Sequence, residues 1–253
     1  AATSWYHNKV ADKGNDLPSF VQEVREFVEN VYAPSLFKGN RLAATEKTEI
    51  AAKLEDYTGI AAKVWERADL RITPGEYYQE LLREEGMTVG RLDSRYKGIN
   101  LDPMAMSAFT DPQSDAISPA YTMGFLDYFH GSLGVSKDLQ YATSAYAKEG
   151  FKWDWKHNKN FNNDAVPANT AVDLAEAMSH NPTLKVLAIN GYYDLATPFY
   201  AAEYTFTHMG LEKRLQNNII LKYYEAGHMM YTDPASGKQF KKDVADFIKE
   251  TLK

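Results

Sequence analysis

Two side chains near the end of the chain have the types and the spacing for proton relay. Asp194 closes Asn190-Gly191-Tyr192-Tyr193-Asp194, and His228 stands in Glu225-Ala226-Gly227-His228-Met229. Each follows a short apolar run, at 184–189 and 219–224, of the kind predicted to form a buried parallel strand. In open parallel sheets, functional groups lie just beyond the carboxyl ends of strands. Taken alone, a strand-end Asp more often caps a helix or forms a turn, and a Gly-His pair in a loop is more often structural. An acid after one strand and a histidine after the next, 34 residues on, is different. It is the second half of a triad written in the order Ser, Asp, His. There the imidazole takes a nucleophile's proton, and the carboxylate holds its tautomer and stabilises the imidazolium.

The nucleophile is missing from the pattern. None of the serines lies in Gly-x-Ser-x-Gly, whose small flanking residues let a strand turn sharply into a helix. The nearest look-alike, His130-Gly131-Ser132-Leu133-Gly134, has its first glycine one place late and no strand before it, so Ser132 reads as a helix-ending turn. The chain has no cysteine, which excludes thiol catalysis, disulfides and Cys-ligated zinc. The histidines are scattered without His-Glu-x-x-His spacing, so no metal site is predicted. Gly-x-Gly-x-x-Gly and Walker patterns are absent, and no cofactor is expected. Glu84-Glu85 reads as a solvated helix end. Trp153, Trp155, Tyr192 and Tyr193 could line an apolar pocket, although aromatics more often pack a core.

The elements that must hold this pair read as α/β. Helices are predicted at 170–179, 198–209 and 236–252, the last with Phe240, Val244, Phe247 and Ile248 facing inward. Helices alternating with parallel strands imply right-handed crossovers. Two strands cannot make a sheet covered on both faces, so this region reads as the C-terminal part of an α/β domain. Before it, the chain is mainly helical. One helix follows Pro18-Ser19, with Phe20, Val24, Phe27, Val28 and Val31 on one face. Another follows Thr45, with Ile50, Ala51, Leu54 and Tyr57 apolar, and ends near Gly59. A third starts at Thr73-Pro74 with Glu76 completing a capping box, carries Tyr77, Tyr78, Leu81 and Leu82, and ends at Gly86. Residues 101–119 read as a loop broken by three prolines, 121–129 as a helix, and Trp153-Asp154-Trp155 with 158–163 as a second long connection.

Composition sets outer bounds. The 253 residues are 44% hydrophobic and 25% charged, enough to bury a core as one large domain or two small ones. A net charge of −6 argues against a nucleic-acid partner. No apolar run approaches the roughly 18 residues of a membrane span.

The segments Val186-Leu187-Ala188-Ile189-Asn190-Gly191-Tyr192-Tyr193-Asp194 and Ala226-Gly227-His228-Met229 resemble the acid and histidine segments of the serine carboxypeptidase family. Gly90-Arg91-Leu92-Asp93-Ser94-Arg95-Tyr96-Lys97-Gly98 is similar to a segment of its bacterial members. The lack of cysteine and of Asn-x-Ser/Thr acceptors fits that bacterial branch rather than its disulfide-rich vacuolar and plant relatives. The resemblance implies a peptide substrate, a C-terminal cleavage, and a periplasmic or secreted location. It also implies that residues 1–165 match the helical cap insertion and 166–253 the C-terminal part of the α/β-hydrolase core. Asp194 would be the triad acid, His228 the base, and Met229 a lining residue of the leaving-group pocket. The nucleophile serine would lie upstream, on an N-terminal chain or segment that is expected as a partner. The alternatives are an esterase or acyltransferase on the same scaffold, or an inactive fragment or binding module.

Overall fold

The computed structural model describes residues 1–154 and 168–252, and shows mixed helix and sheet. In chain order the elements are α1 (Ala2–Tyr6), α2 (Leu17–Phe27), α3 (Ala33–Lys38), α4 (Ala44–Thr58), α5 (Ala62–Arg67) and α6 (Pro74–Glu80). They continue with β1 (Met87–Val89), β2 (Lys97–Ile99), α7 (Pro112–Asp127), α8 (Ala171–His180), β3 (Val186–Gly191), α9 (Phe199–His208), β4 (Ile219–Tyr224) and α10 (Pro234–Thr251). Among the described residues, no helix is long and apolar enough to cross a membrane.

The described residues fall into two compact units that are not continuous in sequence. The first gathers Ala1–Ala116, Ile189–Phe199 and the residues from Leu221 onward; the second gathers Ile117–Ala188 and Tyr200–Ile220. The boundary expected near 165 and the Asn-rich stretch at 158–163, with Trp155, lie outside the described residues.

The first unit is built on local signals that the chain states plainly. The Thr73 hydroxyl accepts from the Glu76 N–H, and the Glu76 carboxylate accepts from the Thr73 N–H, closing the capping box of α6. Asp16 caps α2 by accepting from the Ser19 N–H. Gly59 ends α4 at φ 67°, in the left-handed region that costs a glycine little. One core forms where Ile50, Ala51 and Leu54 of α4 meet Ile60, Trp65, Leu81, Leu82 and Val89. A second joins Leu17, Phe20 and Val21 of α2 to Tyr57 and Tyr193. The face of α2 does not extend to Val31 as its spacing predicts. The chain widens into a π-helical turn over Val28–Tyr32, which rotates Val31 to a position 42% exposed.

Strands β3 and β4 are neighbours and run parallel, since Lys185 meets Asn218 at one end and the Tyr192 N–H donates to the Tyr224 carbonyl at the other. No further strand joins this pair among the described residues, and most positions along both strands are only half-buried. Asp233 caps α10 through the Ser236 N–H. Phe240 of α10 packs with Tyr224, Ala226 and Met230. The expectation that Ile248 faces inward is corrected: α10 runs past its core contacts, and Ile248 is 50% exposed.

The second unit has its own core of Ala175 and Met178 from α8 with Met209, Leu211 and Leu215. Reading 101–119 as loop throughout is also corrected. Helix α7 begins at Pro112, whose missing N–H is harmless in a first turn, and Asp111 Oδ1 accepts the Gln113 N–H there. Pro119 lies inside α7, where it removes one helical hydrogen bond. The hairpin of β1 and β2, paired Met87 to Ile99 and Val89 to Lys97, has strands too short to show alternation in the sequence. It matters because its loop, 90–96, reaches the loops after β3 and β4.

Candidate functional site

Asp194 and His228 come together. Oδ2 of Asp194 lies 2.8 Å from Nδ1 of His228, although the two residues are 34 apart in sequence. The carboxylate is buried, and the imidazole is 42% exposed. A carboxylate can only accept, so Nδ1 carries the proton and Nε2 is left as the basic nitrogen. Among the described residues, nothing partners Nε2.

The two oxygens of Asp194 have separate duties. Oδ1 accepts the backbone N–H groups of Ala196 and Thr197, at 2.8 and 2.9 Å, and so forms the turn that ends the β3 loop. Oδ2 faces His228 and accepts the Thr197 hydroxyl at 2.7 Å. The turn-forming reading of a strand-end Asp therefore holds for Oδ1, while Oδ2 is left to face the histidine. Thr197, whose Oγ1 is also 3.2 Å from His228 Nδ1, was not singled out by sequence. Its signal is the Asp-x-x-Thr spacing of a side-chain-capped turn.

The backbone supports this contact at close range. The His228 N–H donates to the Leu92 carbonyl at 2.7 Å, and the Leu195 N–H donates to the Arg91 carbonyl at 3.0 Å. Loop 90–96 thus holds the loops of both Asp194 and His228. The fit demands glycine: a Cβ at Gly227 would stand 2.4 Å from Asp93 Cβ, and one at Gly191 would stand 2.4 Å from the Ala226 and Gly227 carbonyl oxygens. Tyr78 of α6 donates to the Leu195 carbonyl at 3.0 Å, tying the first helical core to the acid loop.

Met229 is half-buried beside His228, and its carbonyl accepts from the Thr232 N–H, so it begins a short 3₁₀ turn. Ser132 ends a π-helical turn over Tyr128–Ser132, followed by Gly134 at φ 65°, with no strand before it. Ser94 is fully buried, and its Oγ donates to the Tyr193 carbonyl and pairs with Thr3 Oγ1. All of the chain's serines lie among the described residues, and the side-chain partners found there for His228 are Asp194 and Thr197.

A cleft of about 430 Å³ between α5 and α6 is lined by Val64, Ala68, Ile72, Glu80 and Arg83, among others. Asp194, His228 and Met229 take no part in it. Among the described residues, no group of three or more His, Asp or Glu side chains could hold a metal ion. The arrangement can do one piece of chemistry: a base at Nε2, held in its tautomer by a buried carboxylate. No protein-family model, no curated protein and no solved structure matches the chain.

Proposed function

We propose that this chain supplies the acid and the base of a serine carboxypeptidase-type hydrolase, with the C-terminal part of an α/β-hydrolase core and a helical cap. The observation that carries the reading is the Asp194–His228 contact, with Nδ1 engaged and Nε2 unpartnered among the described residues. A serine on a partner segment would attack the scissile carbonyl of a peptide while Nε2 of His228 takes its proton. The imidazolium, stabilised by Asp194 Oδ2, would then give that proton to the leaving amine. Water would repeat the cycle and free the acyl group. Met229, beside His228, would line the leaving-group side, as the resemblance implies.

Two observations support a partner that brings the serine. No hydroxyl of this chain stands at Nε2 among the described residues. The half-buried β3–β4 pair also leaves strand edges that a further parallel strand could cover. The first of these would equally fit a chain without a nucleophile, acting as a binding module. The test is turnover by the complete assembly of an N-blocked peptide with a free C-terminus, beside its C-terminal amide and the matching ester. Release of the C-terminal residue from the free acid, and not from the amide, supports the carboxypeptidase. Hydrolysis of the ester alone favours an esterase.

A further inference from the structure

Arg95 contacts the surroundings of both members of the pair while touching neither. Its Nε lies 3.0 Å from Asp93 Oδ1 and its Nη2 lies 2.7 Å from Asp93 Oδ2, a two-point grip on a buried carboxylate. Nη1 donates at 2.9 Å to the carbonyl of Glu225, three residues before His228. The same nitrogen is 3.6 Å from Asp233 Oδ2, the cap of α10 just past the histidine loop. The guanidinium carbon stands 5.4 Å from the ring centre of Tyr193, the residue before Asp194. Asp93 in turn fills the space that Gly227 leaves open, directly beneath His228 in sequence.

With Asp93 buried and Arg95 partly so, the pair adds little net stability over an apolar replacement, because desolvation offsets the attraction. What it does add is direction. A planar fork with Asp93 on one side leaves Nη1 only one way to point, and it points at the turn that carries His228. Burial works against the guanidinium charge, yet the Asp93 carboxylate, with Asp233 behind it, keeps Arg95 above its ordinary value and so charged at any working pH.

We propose that Arg95, anchored by Asp93, is a positioning residue that fixes turn 225–228 through the Glu225 carbonyl and so holds His228 Nδ1 against Asp194. This rests on the acid–base reading of that pair. Without Arg95, the Glu225 carbonyl loses this donor, and turn 225–228 keeps only its backbone bonds, that of the His228 N–H to Leu92 among them. The imidazole then spends part of its time away from Oδ2 and reverts toward the tautomer that free histidine prefers, with the proton on Nε2.

The test reads that tautomer directly. Long-range ¹H–¹⁵N correlation spectra of the full chain, at a pH where the ring is neutral, give the two nitrogen shifts of His228, assigned by their loss in His228→Asn. The variants are Arg95→Lys, which keeps the charge without the fork, and the double Asp93→Asn/Arg95→Met, which leaves no buried ion stranded. Circular dichroism reports whether each is folded. The wild type is expected to carry its proton on Nδ1, and at least one folded variant is expected to move toward the Nε2-protonated form. Folded variants whose His228 shifts match the wild type overturn the role of Arg95 and leave the pair intact. A wild type already protonated on Nε2 overturns the acid–base reading, and this assignment with it.

Discussion

Asp194 meets His228 through one oxygen and its own backbone turn through the other: Oδ2 lies 2.8 Å from Nδ1, and Oδ1 accepts two N–H groups. On the proposed reading, this division separates catalysis from stability. Asp194→Asn keeps an oxygen for the turn but not a carboxylate for the imidazolium. In the complete assembly, kcat for peptide hydrolysis is expected to fall by roughly four orders of magnitude. Asp194→Ala removes both duties and should also lose about 3 kcal/mol in urea unfolding.

Thr197 tests the same carboxylate from its other neighbour. Its hydroxyl donates to the buried Oδ2 at 2.7 Å. Thr197→Val keeps the shape and deletes that bond, which should reduce stability by about 1–2 kcal/mol. Thr197→Ser should restore most of the loss. Equal unfolding midpoints for all three proteins would show that the hydroxyl is not engaged in solution.

Gly227 is a point of close approach between loop 90–96 and the histidine loop. A methyl group there would stand 2.4 Å from Asp93 Cβ and 2.5 Å from the Leu92 oxygen. Gly227→Ala should therefore destabilise by about 1–3 kcal/mol, and the His228 N–H, which donates to Leu92, should exchange with solvent faster. Measured hydrogen exchange at His228 equal to that of the wild type would contradict this packing.

His7 gives the fold a pH dependence apart from the site. Burial lowers its pKa from 6.5, with Lys97 and Lys9 adding to the effect, while its bond to the Ser94 carbonyl and the charge of Glu85 oppose it. Below pH 6.5 the unfolded chain takes up the proton first, so this contribution to stability is full above 6.5 and is lost as pH falls toward the lowered value. His7→Gln, which keeps a donor for Ser94, should flatten stability against pH in that window. A variant with the same slope as the wild type would locate the dependence elsewhere.

Much of the site was legible because its signals are local. Asp194 and His228 each follow an apolar run, and the capping box at Thr73 needs only four residues to be read. Ser132 is set aside on its glycine spacing and on the lack of a strand before it, and helix precedes it in the structure. Segment 90–98 stands out by resemblance, but its contacts with the pair were not legible. Arg95 reaches the Glu225 carbonyl across 130 residues, and Ser94 reaches the Tyr193 carbonyl across 99. Contacts of that span leave no periodicity in the chain. Helices as short as α1, α3 and α5 complete too few turns to show a face, and the prolines at 112 and 119 signal a break whether they open a helix, interrupt one or end it.

The central claim is that His228 is the base for a serine carried by another segment. The direct measurement is intact-mass analysis of the natively isolated assembly after reaction with a fluorophosphonate, with and without His228→Ala in this chain. The account predicts one adduct, on a serine outside these 253 residues, that disappears in the His228→Ala protein. An adduct on this chain, or one that forms equally well without His228, would contradict it.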